Sequence, residues 1–169
     1  MKILVVSDTH GRNENFRDAI RIEKPDRIYH LGDGMGVDDE FWQISKVPAE
    51  FVRGNCDYAS NLPEYLVLNV GKHVLFLAHG HSFGVNYDLN RIRGFAREKG
   101  ADIVLYGHTH VPDIDYSYGM MVANPGSLTQ PRQASREHTY MVIDVDEEGE
   151  LKLSLHSLEE YDRKQKSSI

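Results

Sequence analysis

The sequence has few of the features that several classes of protein require. It contains one cysteine, Cys56, so neither an intrachain disulfide nor a metal site built from several thiolates can form. No apolar run approaches the ~18 consecutive residues that a membrane helix needs. Acidic residues outnumber basic ones, 26 to 19, and the formal net charge of -7 argues against nonspecific binding of nucleic acid, which needs Lys and Arg. Any metal must therefore be held by nitrogen and oxygen.

The length and the first residues bear on domain organisation and location. A chain of 169 residues has the usual size of one domain, so residues 1–169 are expected to form a single domain. The first apolar run ends before Asp8 and is too short for a signal peptide, which favours a cytoplasmic location. Neither a membrane nor nucleic acid is an expected partner, and the sequence leaves open whether the chain forms a homo-oligomer.

Apolar strand-like runs alternate with amphipathic helical stretches in the first part of the chain. The helical stretches "NENFRDAIRIEK" and "DDEFWQISK" separate the runs "ILVV" (3–6), "RIYHLG" (27–32) and "EFVRG" (50–54). This alternation is typical of a parallel sheet covered by helices. The pattern then changes to a hairpin around Gly71, a helix that ends at Gly100, and strand-like segments up to a polar, frayed ending after residue 158. The residues thus indicate an α/β protein.

Side chains that can bind metal follow five of the predicted strands. The stretch "IVLYGHTH" (103–110) ends in two histidines separated by one residue, and residues i and i+2 of an extended chain point the same way. The carboxyl ends of parallel strands meet at one edge of a sheet, where ligands bind in open α/β folds. The side chains that this edge would bring together are Asp8, His10, Asp33, Asn55, His79, His108 and His110. Seven nitrogen and oxygen ligands exceed what one ion normally takes, so they predict two ions that share one carboxylate.

Each of these residues also has an ordinary structural interpretation. Asp8 can cap a helix, Asp33 and Asn55 are common in turns, and a histidine can be a polar residue of the core or surface. Taken singly these interpretations are favoured everywhere except in "GHTH", but together they require seven independent coincidences. His30 lies inside a strand and is interpreted as a buried histidine rather than a ligand. Arg12 follows "DTHG" and is open between contact with a substrate phosphate and contact with solvent.

The motifs resemble those of the calcineurin-like metallophosphoesterases. That family's D-x-H, G-D, G-N-H-[DE], single-histidine and G-H-x-H motifs correspond here to "DTH" (8–10), "GD" (32–33), "GNCD" (54–57), "HGH" (79–81) and "GHTH" (107–110). The segment "NPGSLTQPR" (124–132) resembles a loop of the small bacterial and archaeal phosphodiesterases in that family. The resemblance implies a four-layer αββα sandwich, in which two mixed β-sheets are flanked by helices.

The resemblance also implies a ligand set and a reaction. One divalent ion would be bound by Asp8, His10 and His110, the other by Asn55, His79 and His108, with Asp33 bridging them. Imidazole ligands without thiolates favour Mn²⁺, with Ni²⁺, Fe²⁺ or Zn²⁺ as alternatives. The implied activity is that of a metal-dependent phosphoric diester hydrolase, which hydrolyses a small phosphodiester by in-line attack of a metal-bridging hydroxide. The two ions would give an acidic protein a positive centre for its phosphate.

One position departs from the family's pattern. Cys56 in "GNCD" stands where many relatives have a histidine thought to protonate the leaving group, and Asp57 would orient such a histidine. A thiol matches proton transfer at neutral pH less well than imidazole, so Cys56 is interpreted as a small filler in preference to an acid. His81, two residues beyond His79, is the substitute candidate for the acid.

Three other functions stay open. A non-catalytic interaction module, as the retromer subunit of this fold is thought to be, would be expected to have lost ligand residues, yet all seven are present. A nuclease would need a basic groove, which the charge balance does not supply. A phosphomonoesterase would share the metal centre and differ in the ester it prefers. The sequence therefore favours a phosphodiesterase.

Overall fold

The part of the chain that the computed structural model describes, residues 1–35 and 38–167, folds into ten strands and four helices. The strands are β1 (Lys2–Val6), β2 (Arg27–His30), β3 (Ala49–Phe51), β4 (Tyr65–Val70), β5 (His73–Ala78), β6 (Ile103–Tyr106), β7 (Pro112–Asp115), β8 (Met121–Pro125), β9 (Thr139–Val145) and β10 (Leu151–Ser157). The helices are α1 (Glu14–Glu23), α2 (Asp38–Ser45), α3 (Asn90–Glu98) and α4 (Leu158–Ser167).

The strands form two mixed sheets of five strands each. The first sheet has the order β10-β9-β1-β2-β3, in which β1, β2 and β3 are parallel and the other two strands are antiparallel to their neighbours. The second sheet has the order β4-β5-β6-β8-β7, with a parallel centre and antiparallel strands at both edges. The hairpin predicted around Gly71 joins β4 to β5. Two mixed sheets flanked by helices confirm the predicted fold class.

The run of apolar residues in β1 is continuous because both faces of its sheet are covered. Ile3 and Val5 pack into a cluster that contains residues of both sheets and therefore lies between them. Leu4 and Val6 point the other way, into a cluster that includes Phe16 of α1. Burying each such side chain contributes about 1.5–3 kcal/mol, so the alternation along one strand holds two layers to the sheet.

The outer face of the second sheet is covered by α3. Phe76 of β5 and Val104 of β6 pack against Ile92 and Ala96, which lie one turn apart on that helix. Gly100, the predicted stop, has a φ of 76°, which suits glycine at the end of a helix. With α1, α2 and α4 contributing to the outer cluster of the first sheet, the molecule has four layers.

The C-terminal segment differs from the prediction of a frayed ending, because Leu158–Ser167 forms α4. Ser157 Oγ accepts a hydrogen bond from the backbone N–H of Glu160 at 3.0 Å, as a cap of the first turn does. Leu158 packs on the outer cluster of the first sheet, and Glu159 binds His138. These partners lie outside the segment, so local composition did not indicate them. Residues 168–169, part of the same prediction, lie outside the described residues.

The loops that leave β1, β2, β3, β5 and β6 at their carboxyl ends meet at one edge of the sandwich. Backbone hydrogen bonds join them: the N–H of Asp8 donates to Gly32 O at 3.0 Å, and that of Gly107 donates to His79 O at 3.0 Å. Polar residues that are distant in sequence are therefore brought together at this edge. Within the described residues, no helix combines the length and the apolar character needed to cross a membrane.

Candidate metal centre

Five of the predicted ligand residues have positive φ angles, a backbone conformation that L-amino acids rarely adopt. Their φ angles are 56° at Asp8, 46° at His10, 57° at Asp33, 69° at His108 and 59° at His110. A left-handed conformation costs a residue with a Cβ about 1–2 kcal/mol, and such strain clusters at functional sites. The fold thus turns these side chains out of the strand direction and towards one another.

Asp8 lies at the centre of the group and is fully buried. Its Oδ2 accepts hydrogen bonds from Ser7 Oγ at 2.6 Å and from the backbone N–H of His108 at 3.0 Å. Its Oδ1 lies 3.1 Å from His110 Nε2 but has no hydrogen-bond partner of adequate geometry among the described residues. A buried carboxylate oxygen without a donor is costly, and a cation would satisfy it.

His10 and His110 face each other beside Asp8, with their Nε2 atoms 3.3 Å apart. His110 Nδ1 lies 2.7 Å from the carbonyl oxygen of Gln130, which can only accept, so Nδ1 carries the proton and Nε2 presents a lone pair. His10 Nε2 is also 3.9 Å from Asp8 Oδ1. Asp8, His10 and His110 thus form a group that could hold a metal ion.

Asp33 and His79 form a second group with Asp8. His79 Nδ1 donates to the carbonyl oxygen of Leu31 at 2.7 Å, which leaves Nε2 facing the site. That Nε2 lies 3.4 Å from Asp33 Oδ2 and 3.9 Å from Asp8 Oδ1. Asp33 Oδ2 is also 4.0 Å from His10 Nε2, so one carboxylate oxygen faces both groups.

Asn55 and His108 complete the second group. Asn55 Oδ1 lies 3.1 Å from His79 Nε2, and the rings of His79 and His108 have centroids 5.1 Å apart. Asn86 Nδ2 lies 2.9 Å from His108 Nε2 and so orients that ring. No motif in the sequence pointed to Asn86. All seven predicted ligands therefore lie close to one another, and Asp33 Oδ2 faces both His79 and His10.

The charges of the site shift the pKa values of its members. Burial alone would raise the pKa of Asp8, but the neighbouring His110 and the charge of His79 hold it below its ordinary value. Burial has the same effect on Asp33, and contact with His79 and with the backbone of Cys56 lowers its pKa. Both carboxylates are therefore ionised at neutral pH, as metal ligands must be.

Two glycines of the motifs are required by close approach. A Cβ on Gly54 would lie 2.1 Å from Asp33 Oδ1, and a Cβ on Gly107 would lie 2.0 Å from Ser7 Oγ. Both distances are far below van der Waals contact. Glycine therefore precedes Asn55 and His108 because the neighbouring loop passes directly over its backbone.

Residues 1–148 match the family described as the calcineurin-like phosphoesterase superfamily domain. The chain belongs to this family. A probable metallophosphoesterase from Methanocaldococcus jannaschii is 33% identical over 159 residues, which are 90% of this chain and 80% of that protein. The crystal structure of a predicted phosphoesterase from Streptococcus pneumoniae is similar with 31% identity and a TM-score of 0.79, over 92% of this chain and 88% of the other.

More distant structures share the fold. One is described as a novel archaeal phosphodiesterase, with 22% identity, a TM-score of 0.71 and coverage of 92% of this chain and 100% of that chain. Another is Vacuolar Protein Sorting 29 from Cryptosporidium parvum, with 22% identity, a TM-score of 0.70 and coverage of 92% and 97%. At 22% identity these similarities establish a shared architecture only. The two proteins that share it carry different functional descriptions.

Cys56 and Asp57, two of the candidate catalytic residues of this phosphoesterase, occupy different environments. The backbone N–H of Cys56 donates to Asp33 Oδ1 at 2.8 Å, and burial together with Asp33 raises the pKa of the thiol to about 11. Asp57 is buried and accepts three backbone hydrogen bonds, from Asp33 and Gly54 at 2.8 and 2.7 Å and from Met35 at 2.6 Å. Asp57 therefore holds the two loops that carry Asp33 and Asn55.

The other two candidate catalytic residues, His81 and Arg12, are both exposed. The ring of His81 has its centroid 5.4 Å from that of His79 and 6.1 Å from that of His108. Burial and the charge of His79 lower its pKa. Arg12 lines a cavity of about 370 Å³ at the start of α1. Both side chains can thus meet a ligand, although neither belongs to the buried group.

The loop at 124–132 supports the site, a role that the sequence did not reveal. Ser127 Oγ and Thr129 Oγ1 donate to the carbonyl oxygen of Asp8 at 2.8 and 3.0 Å. Asn124 Nδ2 donates to the carbonyl oxygen of Gly107 at 2.9 Å. These bonds fix the left-handed turns that carry two of the ligand motifs. Their only signal in the sequence was the loop's resemblance to the family.

His30 lies inside the core, as expected for a histidine that is not a ligand. It is 1% exposed, its Nε2 lies 3.0 Å from Thr9 Oγ1, and its Nδ1 accepts from the backbone N–H of Gly32 at 3.2 Å. Burial lowers its pKa to about 4, so the ring is neutral. His30 therefore links the loops after β1 and β2 from inside the core.

Proposed function

We propose that this phosphoesterase holds two divalent ions and hydrolyses small phosphodiesters. The position of Asp33 carries the proposal, because its Oδ2 faces His79 Nε2 at 3.4 Å and His10 Nε2 at 4.0 Å and so can serve both groups of ligands. The buried Oδ1 of Asp8, which has no hydrogen-bond partner among the described residues, supports it, since a cation is the simplest partner for that atom. The archaeal phosphodiesterase of the same fold supports the choice of a diester.

In the proposed arrangement, Asp8, His10 and His110 would hold one ion, Asn55, His79 and His108 would hold the other, and Asp33 would serve both. The tautomers support this arrangement, because His79 and His110 donate their Nδ1 protons to backbone carbonyls and direct Nε2 inward. The donors are nitrogen and carboxylate or amide oxygen, which favours Mn²⁺, with Ni²⁺, Fe²⁺ and Zn²⁺ as alternatives.

The reaction follows from what the chain places around the phosphate. Two bound ions would lower the pKa of a water molecule, align it with phosphorus and offset the charge on the phosphoryl oxygens. The chain itself supplies preorganisation: Cys56 N–H and Asp57 fix the carboxylate and the backbone of Asp33, and Ser127 holds the turn of Asp8. These contacts keep the ligands in place without reorganisation during turnover.

The remaining predicted catalytic residues act on the substrate in this proposal. Arg12 contributes a cation next to the loop of His10, where a protein of net charge -7 needs local attraction for an anion. His81 is the candidate that protonates the leaving group, because its ring lies beside His79 and His108 and is exposed to a ligand. Cys56 is close to Asp33 and has the weaker claim to that role.

The proposal is tested by hydrolysis of bis(p-nitrophenyl) phosphate and of p-nitrophenyl phosphate with Mn²⁺, Ni²⁺, Fe²⁺ and Zn²⁺. We expect faster cleavage of the diester, since nitrophenolate leaves without a proton. Asp33→Ala should abolish hydrolysis and lose one or both ions by elemental analysis. Asp18→Ala, which removes an exposed carboxylate of α1 paired with Arg21, should keep both ions and full activity.

The outcomes separate the alternatives. Two ions and full activity in Asp33→Ala would contradict the shared-carboxylate arrangement. A clear preference for the monoester would make the enzyme a phosphomonoesterase, and cleavage of single-stranded DNA in preference to small diesters would make it a nuclease. Metal binding without hydrolysis of any ester would favour the interaction module, a role for which the shared fold with Vacuolar Protein Sorting 29 is the supporting observation. The cytoplasmic location and the single domain over residues 1–169 stay predictions.

A further inference from the structure

A cavity of about 300 Å³ lies beside the metal centre on the side of Asn55. Its lining residues are Arg53, Gly54, Asn55, Asp57, Tyr58 and His81. Asn55 also belongs to the metal centre, since its Oδ1 lies 3.1 Å from His79 Nε2. The cavity therefore opens next to the place of the phosphate in the proposed function. Its volume is at the lower end of the roughly 300–1,000 Å³ found for small-molecule sites.

Tyr58 provides an uncovered aromatic ring at the wall of this cavity. The residue is 91% exposed, although the turn that carries it is well anchored. Asp57, directly before it, accepts three backbone hydrogen bonds, and the N–H of Ser60 donates to Asp57 O at 3.2 Å. A tyrosine on fixed backbone loses little entropy on binding, because only two side-chain torsions must be ordered.

Arg53 and His81 add two further planar groups to the same cavity. Arg53 Nη2 donates to Glu64 Oε1 at 2.6 Å, an ion pair that orients the guanidinium and offsets its charge. His81 is exposed at the start of the 3₁₀ turn His81–Phe83. Guanidinium and imidazole planes both stack on aromatic rings. Three flat side chains suit a planar ring better than an alkyl chain. A second phosphate would need an unpaired cation, whereas Arg53 is already paired with Glu64.

We propose that this cavity binds the aromatic ring of one ester arm, a nucleobase or an aryl group, and that Tyr58 determines this specificity. The inference rests on the proposed function, because the metal centre must hold the phosphate from which the arm extends. The cavity of Tyr58 includes Asn55, whereas that of Arg12 begins at Gly11, directly after His10, so the two arms of a diester can take different directions. The aromatic arm extends towards Asn55.

The experiment measures binding to the Mn²⁺-loaded protein by calorimetry, which needs no turnover. Adenosine 5′-monophosphate is compared with ribose 5-phosphate, which has the same phosphate and sugar without the base, and benzyl phosphate with cyclohexylmethyl phosphate. We expect the aromatic member of at least one pair to bind about 5- to 150-fold more tightly, the range for one stacked base. The pair that shows the larger preference identifies the ring as a nucleobase or an aryl group.

Variants assign the preference to Tyr58. Tyr58→Ala should remove it while the non-aromatic member of each pair binds within about twofold of wild type, and Tyr58→Phe should keep it, since the ring does the stacking. Tyr116→Ala is the matched control, because Tyr116 is also an exposed tyrosine. It follows β7, which lies at the edge of the second sheet opposite to β4, the strand that Tyr58 precedes. Equal binding within both pairs, no binding of any probe, or a preference that survives Tyr58→Ala would overturn the inference. A Tyr58-dependent preference in a protein that cleaves no ester would instead sustain the subsite and contradict the proposed function.

Discussion

Single residues at the candidate metal centre combine features that would be unfavourable elsewhere in the molecule. Asp8 is fully buried, has a left-handed φ of 56° and keeps one carboxylate oxygen without a hydrogen-bond partner among the described residues. His10 and His110 bring two ring nitrogens within 3.3 Å of each other. These costs persist because Ser127 and Thr129 hold the backbone of Asp8 from behind. Bound cations would stabilise the buried Oδ1 of Asp8, for which the described residues provide no hydrogen-bond donor.

Gly54 permits a prediction about a single methyl group. Gly54→Ala would place a Cβ 2.1 Å from Asp33 Oδ1 and 2.3 Å from Asp33 N, so one loop must move. We expect a loss of stability of about 1–3 kcal/mol, the usual cost of overpacking, together with reduced metal content. Denaturant unfolding and elemental analysis measure the two effects.

Gly94 is the control for this substitution. It lies within α3, and a Cβ there would meet nothing within 4 Å. Gly94→Ala should therefore stabilise the protein by about 0.5–1 kcal/mol, because alanine is the better helix former, and should leave metal content unchanged. Wild-type stability and two bound ions in Gly54→Ala would show that the loops are not as tightly apposed as the distances indicate.

Cys56 permits a second prediction, about protonation of the leaving group. Cys56→His would restore the family's histidine, and general acid catalysis typically contributes ~10²- to 10⁴-fold. We expect the gain to be largest for alkyl diesters, whose alkoxide leaves poorly without a proton, and slight for nitrophenyl diesters. The measurement is the ratio of kcat/KM for the two ester types. In His81→Ala the alkyl activity should fall while the nitrophenyl activity is kept; a ratio unchanged in both variants would show that proton donation does not limit this enzyme.

At the scale of elements, the sequence predicted what local pattern determines. The strands β1, β5 and β6 are apolar runs because both faces are covered. The hairpin at Gly71 followed from two strand-like segments with glycine between them. The helix α4 was missed because its composition is polar and its stabilising partners, His138 and the outer cluster of the first sheet, are distant in sequence. Contacts of this kind have no periodic signal.

The anchoring of α4 gives a prediction about pH. Glu159 accepts hydrogen bonds from the N–H and Nδ1 of His138 at 2.9 and 2.5 Å, and although burial would raise its pKa, these contacts lower it below 4.5. A carboxylate with a lowered pKa stabilises the fold above its unfolded pKa, and the contribution is lost as the pH falls through the lowered value. Glu159→Gln should therefore cost about 1 kcal/mol at pH 7, allowing for partial exposure, and less as the pH falls through the lowered pKa of Glu159.

Glu160→Gln is the matched control for this effect. Glu160 lies in the same first turn, so both substitutions remove one charge from the same helix terminus. Among the described ion pairs, the carboxylate of Glu160 pairs with the exposed Lys164 at 2.7 Å. The expected cost is about 0.3–0.5 kcal/mol. Urea unfolding at pH 7 and at pH 3 measures both variants. Equal costs at pH 7, or a cost of Glu159→Gln that does not shrink at low pH, would contradict the role given to His138.

At the scale of the whole molecule, the position of the seven candidate ligands could be predicted while the structure that supports them could not. Each ligand follows a recognisable strand, and the edge where parallel strands end is a property of the fold class. Asn86, Asn124 and Thr129 act through hydrogen bonds to residues more than ten positions away, and Asp57 through three backbone donors. A polar side chain in a loop does not show in the sequence which backbone it will reach.

Metal binding should stabilise the entire fold, because the ligands come from five loops of two sheets and cannot be assembled in the unfolded chain. A ligand that binds only the folded state adds about 2.7 kcal/mol at 100 times its Kd. For a chain of this size each kcal/mol corresponds to roughly 2–4 °C in Tm. We therefore expect chelator-treated protein to melt roughly 5–10 °C below protein with saturating Mn²⁺, measured by differential scanning calorimetry.

Two comparisons tie this stabilisation to the proposed site. Ca²⁺ prefers six to eight oxygen ligands, whereas this site offers mainly imidazole nitrogen, so saturating Ca²⁺ should raise the Tm far less than Mn²⁺. Asp33→Ala removes the carboxylate whose Oδ2 faces both His79 and His10, and its Tm should respond weakly to Mn²⁺ even if the variant is otherwise folded. Asp18→Ala should respond like wild type, since its carboxylate lies on the surface of α1. A Tm that Mn²⁺ leaves unchanged in wild type, or raises equally in Asp33→Ala, would mean that the loops at this edge are not held together by metal.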